Sequence, residues 1–583
     1  MPMKKAAIIM QQKDAEESVR VLRSLGVVHV EHQQLPKGKD ISLFHDDLAL
    51  ANQALDIISK AEPLEKHRAK EKPFVGWRQT ARHIIDLWKR LDHLQEYSKG
   101  LQQQIIDWQA WGDFDPQAIR ALAENNVYVK LYRIPQKELQ RLPQDVIVEK
   151  ISGRSGIVYC AVIMRESKDI GFKELELPKL SLGSMQERLL EDEKIIGEIK
   201  LKLNECWVYR EELLEKKKSL EKEIEFHEAL NGMAQAAALT YLVGYAPAEN
   251  EQELATLAKK EKWGIFITEP LLEDNVPTLI RNPRWVSLIN PVFKLMEVVP
   301  GYRELDVSPI FLLFLALFFG MIIGDAGCGA IYFALTFLAQ RKYGVKVKEK
   351  NVFFLFYLFS FCAIIWGLLT GTVFGQQWYL ARGFKALVPA LNNTKFLMSF
   401  CFFLGAFQLS LAHCLQALKK LPSLAALADI GFVCLLWVGF LLARMFILGE
   451  PFPVTGQWLA WAGVSLIIFF VSPQKNIFKG IGEGLGTLAL GAVGNFGDVV
   501  SYIRLFAIGL AGVAVADSVN ALAAVASGNI IAQVFILFLG HSINIMLGPI
   551  SVLVHGIRLN VLEFSLLHAN VTWSGLDYKP LKE

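Results

Sequence analysis

The sequence lacks a GxxxxGK[ST] loop, and no GxGxxG follows a stretch that reads as a strand. Both loops cradle phosphate on backbone N–H groups at the start of a helix, so nucleotide binding by this chain is not expected. Cysteine is scarce: Cys160, Cys206, Cys328, Cys362, Cys401, Cys414 and Cys434 are the seven in 583 residues. None are paired at metal or redox spacing, and five lie in or beside apolar runs. They read as small core residues, with no metal and no cofactor expected. Excess charge is missing as well. The formal net charge of +3 is small and mixed, and offers no argument for nucleic acid as a partner. A secretory leader pattern is also absent, because the apolar run Ala6–Met10 after the basic start is too short for a signal core. The soluble part is therefore expected in the cytoplasm.

What the chain does contain is two halves of different composition. Residues 1 to about 295 are rich in Lys, Glu, Gln and Asp, while about 305 to 565 are dominated by Leu, Phe, Ala, Ile, Val and Gly. Several apolar runs in the second half reach the roughly 20 residues a helix needs to cross a bilayer. The expected fold class is an α-helical polytopic membrane domain, 296–583, preceded by a cytoplasmic α+β domain, 1–295.

In the first half, Lys5–Met10 reads as a strand, Asp14 to Leu25 as an amphipathic helix ended by Gly26, and Val27–Glu31 as a second strand. A similar β-α-β pattern recurs at about 239–269. A third patch has strands at Val127–Leu131, Val146–Lys150 and Ile157–Val162. Between the patches lie two heptad-like stretches. One carries Ile84, Leu87, Leu91, Leu94, Leu101, Ile105 and Trp108; the other carries Leu189, Ile196, Ile199, Leu203, Leu213, Leu220 and Ile224, interrupted by Arg210 and Lys217. The chain leaves along one stretch and returns along the other, so an antiparallel coiled coil with a lobe at each end is expected. The arms are placed at 76–112 and 182–235, the terminal lobe at 1–60 plus 236–295, and the distal lobe at 113–181. A stretch of about 35 residues makes a rod of roughly 50 Å.

In the second half, about eight transmembrane helices are expected, near 308–324, 326–341, 352–373, 396–418, 428–448, 457–472, 487–523 and 530–563. Lys342, Lys346, Lys348, Lys350, Lys419, Lys420, Lys475 and Lys479 fall in loops on one side, while 449–456 and 524–529 hold no Lys or Arg. Arg382, Lys385 and Lys395 fall on the opposite side and weaken the contrast. The positive-inside rule then puts both termini in the cytoplasm. The last two spans are too long to cross upright and should tilt or extend beyond the bilayer. Gly480, Gly482, Gly484, Gly486, Gly491, Gly494 and Gly497 approach the first of them, where small residues permit close helix packing.

An ionisable residue inside a span is costly, which makes it a functional candidate. Arg504 lies about halfway along 487–523, within Gly497-Asp498-Val499-Val500-Ser501-Tyr502-Ile503-Arg504-Leu505. It stays protonated in any plausible site, so it can displace an ion from a passing carboxylate without releasing its own proton. Arg558, in His555-Gly556-Ile557-Arg558, sits near the cytoplasmic end of the final span, where snorkelling competes with a role in the path. Glu563 either helps form a polar entrance there or is a solvated helix end. Gln533, His541, Ser542 and Asn544, nearer the opposite end, either line an aqueous path or are scattered packing. Asp325 is a candidate lining residue or a helix cap at the Gly324-Asp325 turn.

With these motifs in view, the chain resembles the membrane stator subunit, called subunit I or subunit a, of V-type and A-type rotary ATPases. The resemblance covers the whole architecture. It is sharpest in Gly497-Asp498-x-x-Ser501-Tyr502-x-Arg504-Leu505 and His555-x-x-Arg558-Leu559-x-x-x-Glu563-Phe564, supported by Gly324-Asp325-x-Gly327-x-Gly329 and Gly371-x-x-x-Gly375. It implies a non-catalytic subunit in which Arg504 faces a rotor ring of small membrane subunits and Arg558 supports it, with two offset half-channels for H⁺ or Na⁺ beside them. Asp498, Ser501, Tyr502 and His555 would belong to the same ion path. The soluble rod would bind peripheral-stalk subunits, while a soluble ATPase head and central stalk handle ATP. The chain departs from eukaryotic members at Leu510-Ala511-Gly512, where they carry Leu-Ala-His, and at Gly548, where many carry an acid. Its Ala507–Ala511 pattern looks bacterial or archaeal instead.

Two other classes make distinct demands. A secondary transporter with its own substrate site predicts matching broken helices in the two halves of the membrane domain, and Gly324-Asp325 has no such counterpart. A scaffold or sensor merely anchored by its spans has no need of Arg504 in mid-span.

Overall fold

The first β-α-β pattern folds as strand β1 (Met3–Gln11), helix α1 (Ala15–Leu25) and strand β2 (His29–Glu31). Helix α1 ends where Gly26 turns left-handed at φ 66°, a conformation that costs a residue with a Cβ, and its N–H bonds Leu22 O at 3.0 Å. This computed structural model describes residues 1–582 except 62–75, 142, 144–145, 155, 167–169, 237, 346, 348, 376–385, 473–476 and 527. Lys346, Lys348, Arg382, Lys385 and Lys475, used above to weigh loop charge, lie outside the described residues. The chain forms two compact units. One comprises Ala7–Gly244, Leu257–Ile265 and Leu581–Glu583; the other comprises Met1–Ala6, Tyr245–Thr256 and Phe266–Pro580.

In the first of these, the stretch expected to belong wholly to a terminal lobe contains a 22-residue helix, α2 (Lys39–Lys60). Helix α3 (Trp77–Trp108) follows, then α4 (Pro116–Glu124) and strands β3 (Tyr128–Pro135), β4 (Ile147–Arg154), β5 (Ile157–Met164) and β6 (Glu174–Leu175). These four strands make an antiparallel sheet in the order β4-β5-β3-β6. The second heptad stretch is two helices, α5 (Leu182–Glu205) and α6 (Arg210–Asn231), separated by a tight turn at Cys206–Tyr209.

The turn divides the partners. Helix α5 packs along α3, while α6 packs along α2, which in turn lies against α3. Ile84, Leu91, Ile199, Leu203 and Leu213 are buried in this seam, whereas Arg210 and Lys217 are only half-buried. Strands β7 (Ala234–Ala236) and β8 (Leu239–Pro247), helix α7 (Glu251–Lys260) and strand β9 (Gly264–Thr268) form the second β-α-β unit. Its strands interleave with the first in the order β2-β8-β1-β9.

The second unit contains α8 (Asn290–Met296) and a helical bundle: α9 (Ser308–Ile323), α10 (Ala326–Tyr343), α11 (Asn351–Thr370), α12 (Thr394–Lys420), α13 (Ala426–Leu448) and α14 (Val454–Phe470). Among the described residues, five segments are long and apolar enough to cross a membrane: Asn351–Thr370, Thr394–Lys420, Ala426–Leu448, Phe478–Val525 and Ile530–His568. Ser308–Ile323 and Val454–Phe470 are shorter apolar helices. Phe311, Phe318, Phe402, Leu409, Tyr502, Leu505 and Phe564 form a continuous buried core.

The last two long segments differ from the expected ranges. The helix read over 487–523 begins ten residues earlier and is broken into α15 (Ile477–Ser501) and α16 (Ile503–Val525). The helix read over 530–563 runs as α17 (Ile530–Ser551) and continues to His568 in two π-helical stretches, Val552–Gly556 and Leu559–His568. The 48 residues of Phe478–Val525 would extend about 70 Å, over twice a hydrocarbon core of roughly 30 Å. The tail then returns to the start of the bundle, where strands β10 (Pro277–Thr278) and β11 (Leu576–Asp577) pair in parallel.

Candidate functional site

The break between α15 and α16 sits at Tyr502. Its N–H reaches Val499 O at 3.3 Å and its carbonyl accepts from Leu505 N–H at 3.1 Å, so the helix tightens there. The Tyr502 side chain is fully buried, and Gly405 of α12 lets it enter: a Cβ on Gly405 would lie 2.6 Å from the ring. Burying a phenol requires a partner for its hydroxyl. Tyr502 donates to Gln408 Oε1 at 2.9 Å, and Gln408 Nε2 donates to Asn560 Oδ1 at 2.9 Å. Asn560 completes the series by donating to Gly556 O at 3.1 Å. Three elements are thereby fixed around one point in an apolar core.

Two residues past the break, Arg504 Nη1 donates to Glu563 Oε1 at 3.0 Å. Arg558 Nε stands 3.7 Å from the same oxygen. The burial of the three is unequal: the Glu563 side chain is 6% exposed, that of Arg504 30% and that of Arg558 52%. The carboxylate thus lies between two permanent cations, with Arg504 the closer to it and Arg558 the more exposed.

The π-helix explains how Arg558 and Glu563 meet. Five residues apart, they would diverge on an α-helix, but i and i+5 are neighbours along a π-helix. Ser565 Oγ donating to Asn560 O at 2.6 Å and Ala569 N to Phe564 O at 2.9 Å follow the same five-residue step. His568 lies one further such step beyond Glu563.

His568 leads to a second group. Its Nε2 lies 3.0 Å from Asp498 Oδ2, and its Nδ1 lies 3.0 Å from His413 Nε2. His413 Nδ1 lies 3.4 Å from Asp429 Oδ1, and Lys420 Nζ lies 2.7 Å from Asp429 Oδ2. His413 and His568 are buried, and both line a cavity of about 920 Å³ shared with Lys420, Asp429, Glu483 and Asn495.

The other candidates are placed as follows. Ser501 Oγ donates to Asp498 O at 2.7 Å, within its own helix. His555 is half-buried, and its side chain makes no hydrogen bond among the described residues. His541 Nε2 pairs with Asn520 Oδ1 at 3.1 Å, and Asn544 Nδ2 donates to Gly512 O at 3.3 Å. Asn544 and Gly512 line a cavity of about 140 Å³. Gln533 and Ser542 are half-buried without a side-chain bond among the described residues. Nine residues apart, they point to opposite sides of α17. Asp325 is fully occupied: Oδ1 accepts from Cys328 N at 2.9 Å, capping α10, and Oδ2 accepts from Gly375 N at 2.8 Å. It joins the two glycine motifs as a structural clasp.

Sequence reasoning did not single out His413, His568, Asp429, Gln408 or Asn560. The signal that picked Arg504, a polar residue within an apolar run, applies equally to His413 and Gln408 in α12.

No protein-family model matches the chain. The chain is similar over its whole length to the V-type ATP synthase subunit I of Borreliella burgdorferi, at 29% identity covering 100% of this chain and 99% of that protein. It is equally similar to V-type ATP synthase subunit I 1 of Treponema pallidum, at 29% identity and 100% of each chain. A-type ATP synthase subunit I of Methanocaldococcus jannaschii is 26% identical over 56% of this chain and 52% of that protein. Among solved structures, the cytoplasmic N-terminal domain of subunit I, homologue of subunit a of V-ATPase, aligns with 46% of this chain and 100% of that one. Its identity is 15% and its TM-score 0.23, too loose a superposition to carry an argument.

Proposed function

We propose that this chain, a full-length homologue of proteins named V-type ATP synthase subunit I, is the membrane stator of a rotary ATPase. In this reading the bundle spans the membrane about eight times with both termini in the cytoplasm. The paired helices of the first unit form an antiparallel coiled-coil rod that binds peripheral stalks. The membrane part makes two half-channels against a rotor ring, and partner subunits handle ATP.

The observation that carries the reading is Arg504. It stands in an apolar helix, tied on one side to buried Glu563 and open on the other. A rotor carboxylate that arrives loaded with its ion meets a cation that never gives up its proton, so the ion leaves and the carboxylate pairs with Arg504 instead. Glu563 then stabilises Arg504 between visits, which prevents an unpaired charge in an apolar setting. Support also comes from the faces of the last helices. Gly482, Gly486, Gly494 and Gly497 meet nothing within 4 Å, and α17 buries no residue, which leaves an apolar surface for a ring or lipid. In this reading the second half-channel runs past Asn544, Gly512 and His541.

The test is ATP-driven ion uptake into vesicles by the purified assembly carrying Arg504→Gln, with partner content checked by gel. Uptake at background with a full set of partners supports the reading. Full uptake moves the gate elsewhere, and the absence of any ATPase partner removes the rotary reading altogether.

A further inference from the structure

The segment just ahead of the first helix of the bundle has no part in the arginine argument, and both of its sides are apolar. Val286–Met296 is an apolar helical stretch too short to cross a bilayer, in which a tight turn over Val286–Ile289 runs straight into α8. Ile289, Val292 and Phe293 join the bundle core, where Phe293 meets Phe311 edge-on with ring centroids 5.2 Å apart. Away from that core, Trp285 is 59% exposed and Leu295 69% exposed. Large apolar side chains left open on a segment already packed on its other side call for a cover.

The level of the segment is set by Asn351, the first residue of α11, whose Nδ2 donates to Ser287 O at 3.3 Å. Because α11 is long and apolar enough to cross a membrane, its first residue marks the boundary between hydrocarbon and headgroups. The same end carries Arg341 and Lys342 in the last turn of α10 and Lys350 at the start of α11, so the positive-inside rule makes it the cytoplasmic end. Charge points the same way. Residues 275–296 hold no acid and three cations, Arg281, Arg284 and Lys294. Arg281 pairs with Glu249 and Lys294 with Glu349, whereas exposed Arg284 makes no ion pair among the described residues.

We propose that Trp285–Met296 is a membrane-surface anchor that binds anionic phospholipid in the cytoplasmic leaflet. Trp285 and Leu295 enter the upper acyl region, and Arg284 meets the headgroup phosphate. An indole suits this level because its ring is apolar while its N–H stays within reach of water and headgroups. The lipid is anionic because Arg284, Arg341, Lys342 and Lys350 together raise the local positive potential. The anchor holds the chain in the membrane plane just before α9 begins. The inference goes beyond the stator reading and needs from it only that the bundle spans a membrane.

The experiment places photoreactive benzoylphenylalanine at Trp285, Leu295 or Phe354 in the full assembly. The assembly is reconstituted in phosphatidylcholine vesicles containing a minor share of phosphatidylglycerol, and crosslinked species are identified by mass spectrometry. Trp285 and Leu295 should both label lipid, with phosphatidylglycerol enriched about fivefold over its share, the preference one cation at an anionic surface supports. Adding Arg284→Gln should return the labelling at Trp285 to the vesicle composition, with the total lipid labelled unchanged. Labelling that follows composition with Arg284 intact overturns the proposal. Crosslinking of Trp285 to another protein subunit, or to no lipid at all, overturns it too. Should Arg284→Gln fail to assemble, about 0.5 M salt decides on the assembly with Arg284 intact: a preference that falls supports the headgroup contact, and one that persists overturns it. Phe354 is exposed along α11. If it labels no lipid, the membrane-spanning reading has failed rather than the surface anchor.

Discussion

Glu563 Oε1 lies 3.0 Å from Arg504 Nη1 and 3.7 Å from Arg558 Nε, so a single buried oxygen answers two guanidinium groups on neighbouring helices. The shorter contact belongs to the less exposed arginine. Losing Glu563 therefore leaves Arg504 the more exposed to an uncompensated charge.

A first prediction follows from that inequality. Arg558→Gln should slow ATP-driven uptake only a few-fold, whereas Arg504→Lys should stop it, because an ammonium can lose its proton and lacks the planar fork. Rates of uptake in vesicles at matched partner content check both. Equal losses for the two positions would contradict the ranking.

The Tyr502–Gln408–Asn560 series yields a stability prediction. Tyr502→Phe removes one buried hydrogen bond and leaves Gln408 Oε1 unanswered, costing about 1–3 kcal/mol. Gly405→Ala forces a methyl against the ring and should cost at least as much. Thermal unfolding of the detergent-solubilised chain reads both.

Asp325 separates structure from transport. Asp325→Ala removes the cap of α10 and the bond to Gly375, so it should lower stability by about 1–3 kcal/mol. In whatever fraction assembles, uptake per complex should stay close to normal. A fully assembled but inactive variant would return Asp325 to the ion path.

Glu304 predicts a pH dependence. Burial alone would raise its pKa, but donors from Thr572 and Gly301 outweigh this and hold it below the usual glutamate range. A depressed carboxylate contributes stability that is present above its unfolded pKa of about 4.3 and lost as pH falls through the lower folded value. Release of the tail 569–580, followed by limited proteolysis, should therefore begin below about pH 4. Glu304→Gln should show the release already at neutral pH.

Much of this was legible from residue order. Arg504 stood out because an ionised group in an apolar run has no cheap explanation, and the break at Gly324-Asp325 was visible as a glycine beside a capping residue. The turn at Cys206–Tyr209 was not, since Arg210 beside it reads as a polar seam residue and the turn shows only in the exchange of partners from α3 to α2. The Tyr502 break escaped for a similar reason: it is made by a tyrosine filling the space left by Gly405 nearly a hundred positions away. The histidine chain is tertiary throughout, its members drawn from α12, α13, α15 and the π-helix. Spacing alone places none of them together.

The wide turns of Leu559–His568 set a phase as well as a path. They hold more residues per turn than the helix before them, so the face that carries Glu563 and His568 is set by residue count. Deleting one residue there would let the segment relax to ordinary pitch with its hydrogen bonds intact and its apolar character unchanged. Everything downstream would turn by about a quarter of a revolution, carrying Glu563 off Arg504 and His568 off Asp498 in one step. A chain so altered would insert and pack, yet idle like an engine with its timing slipped by a tooth.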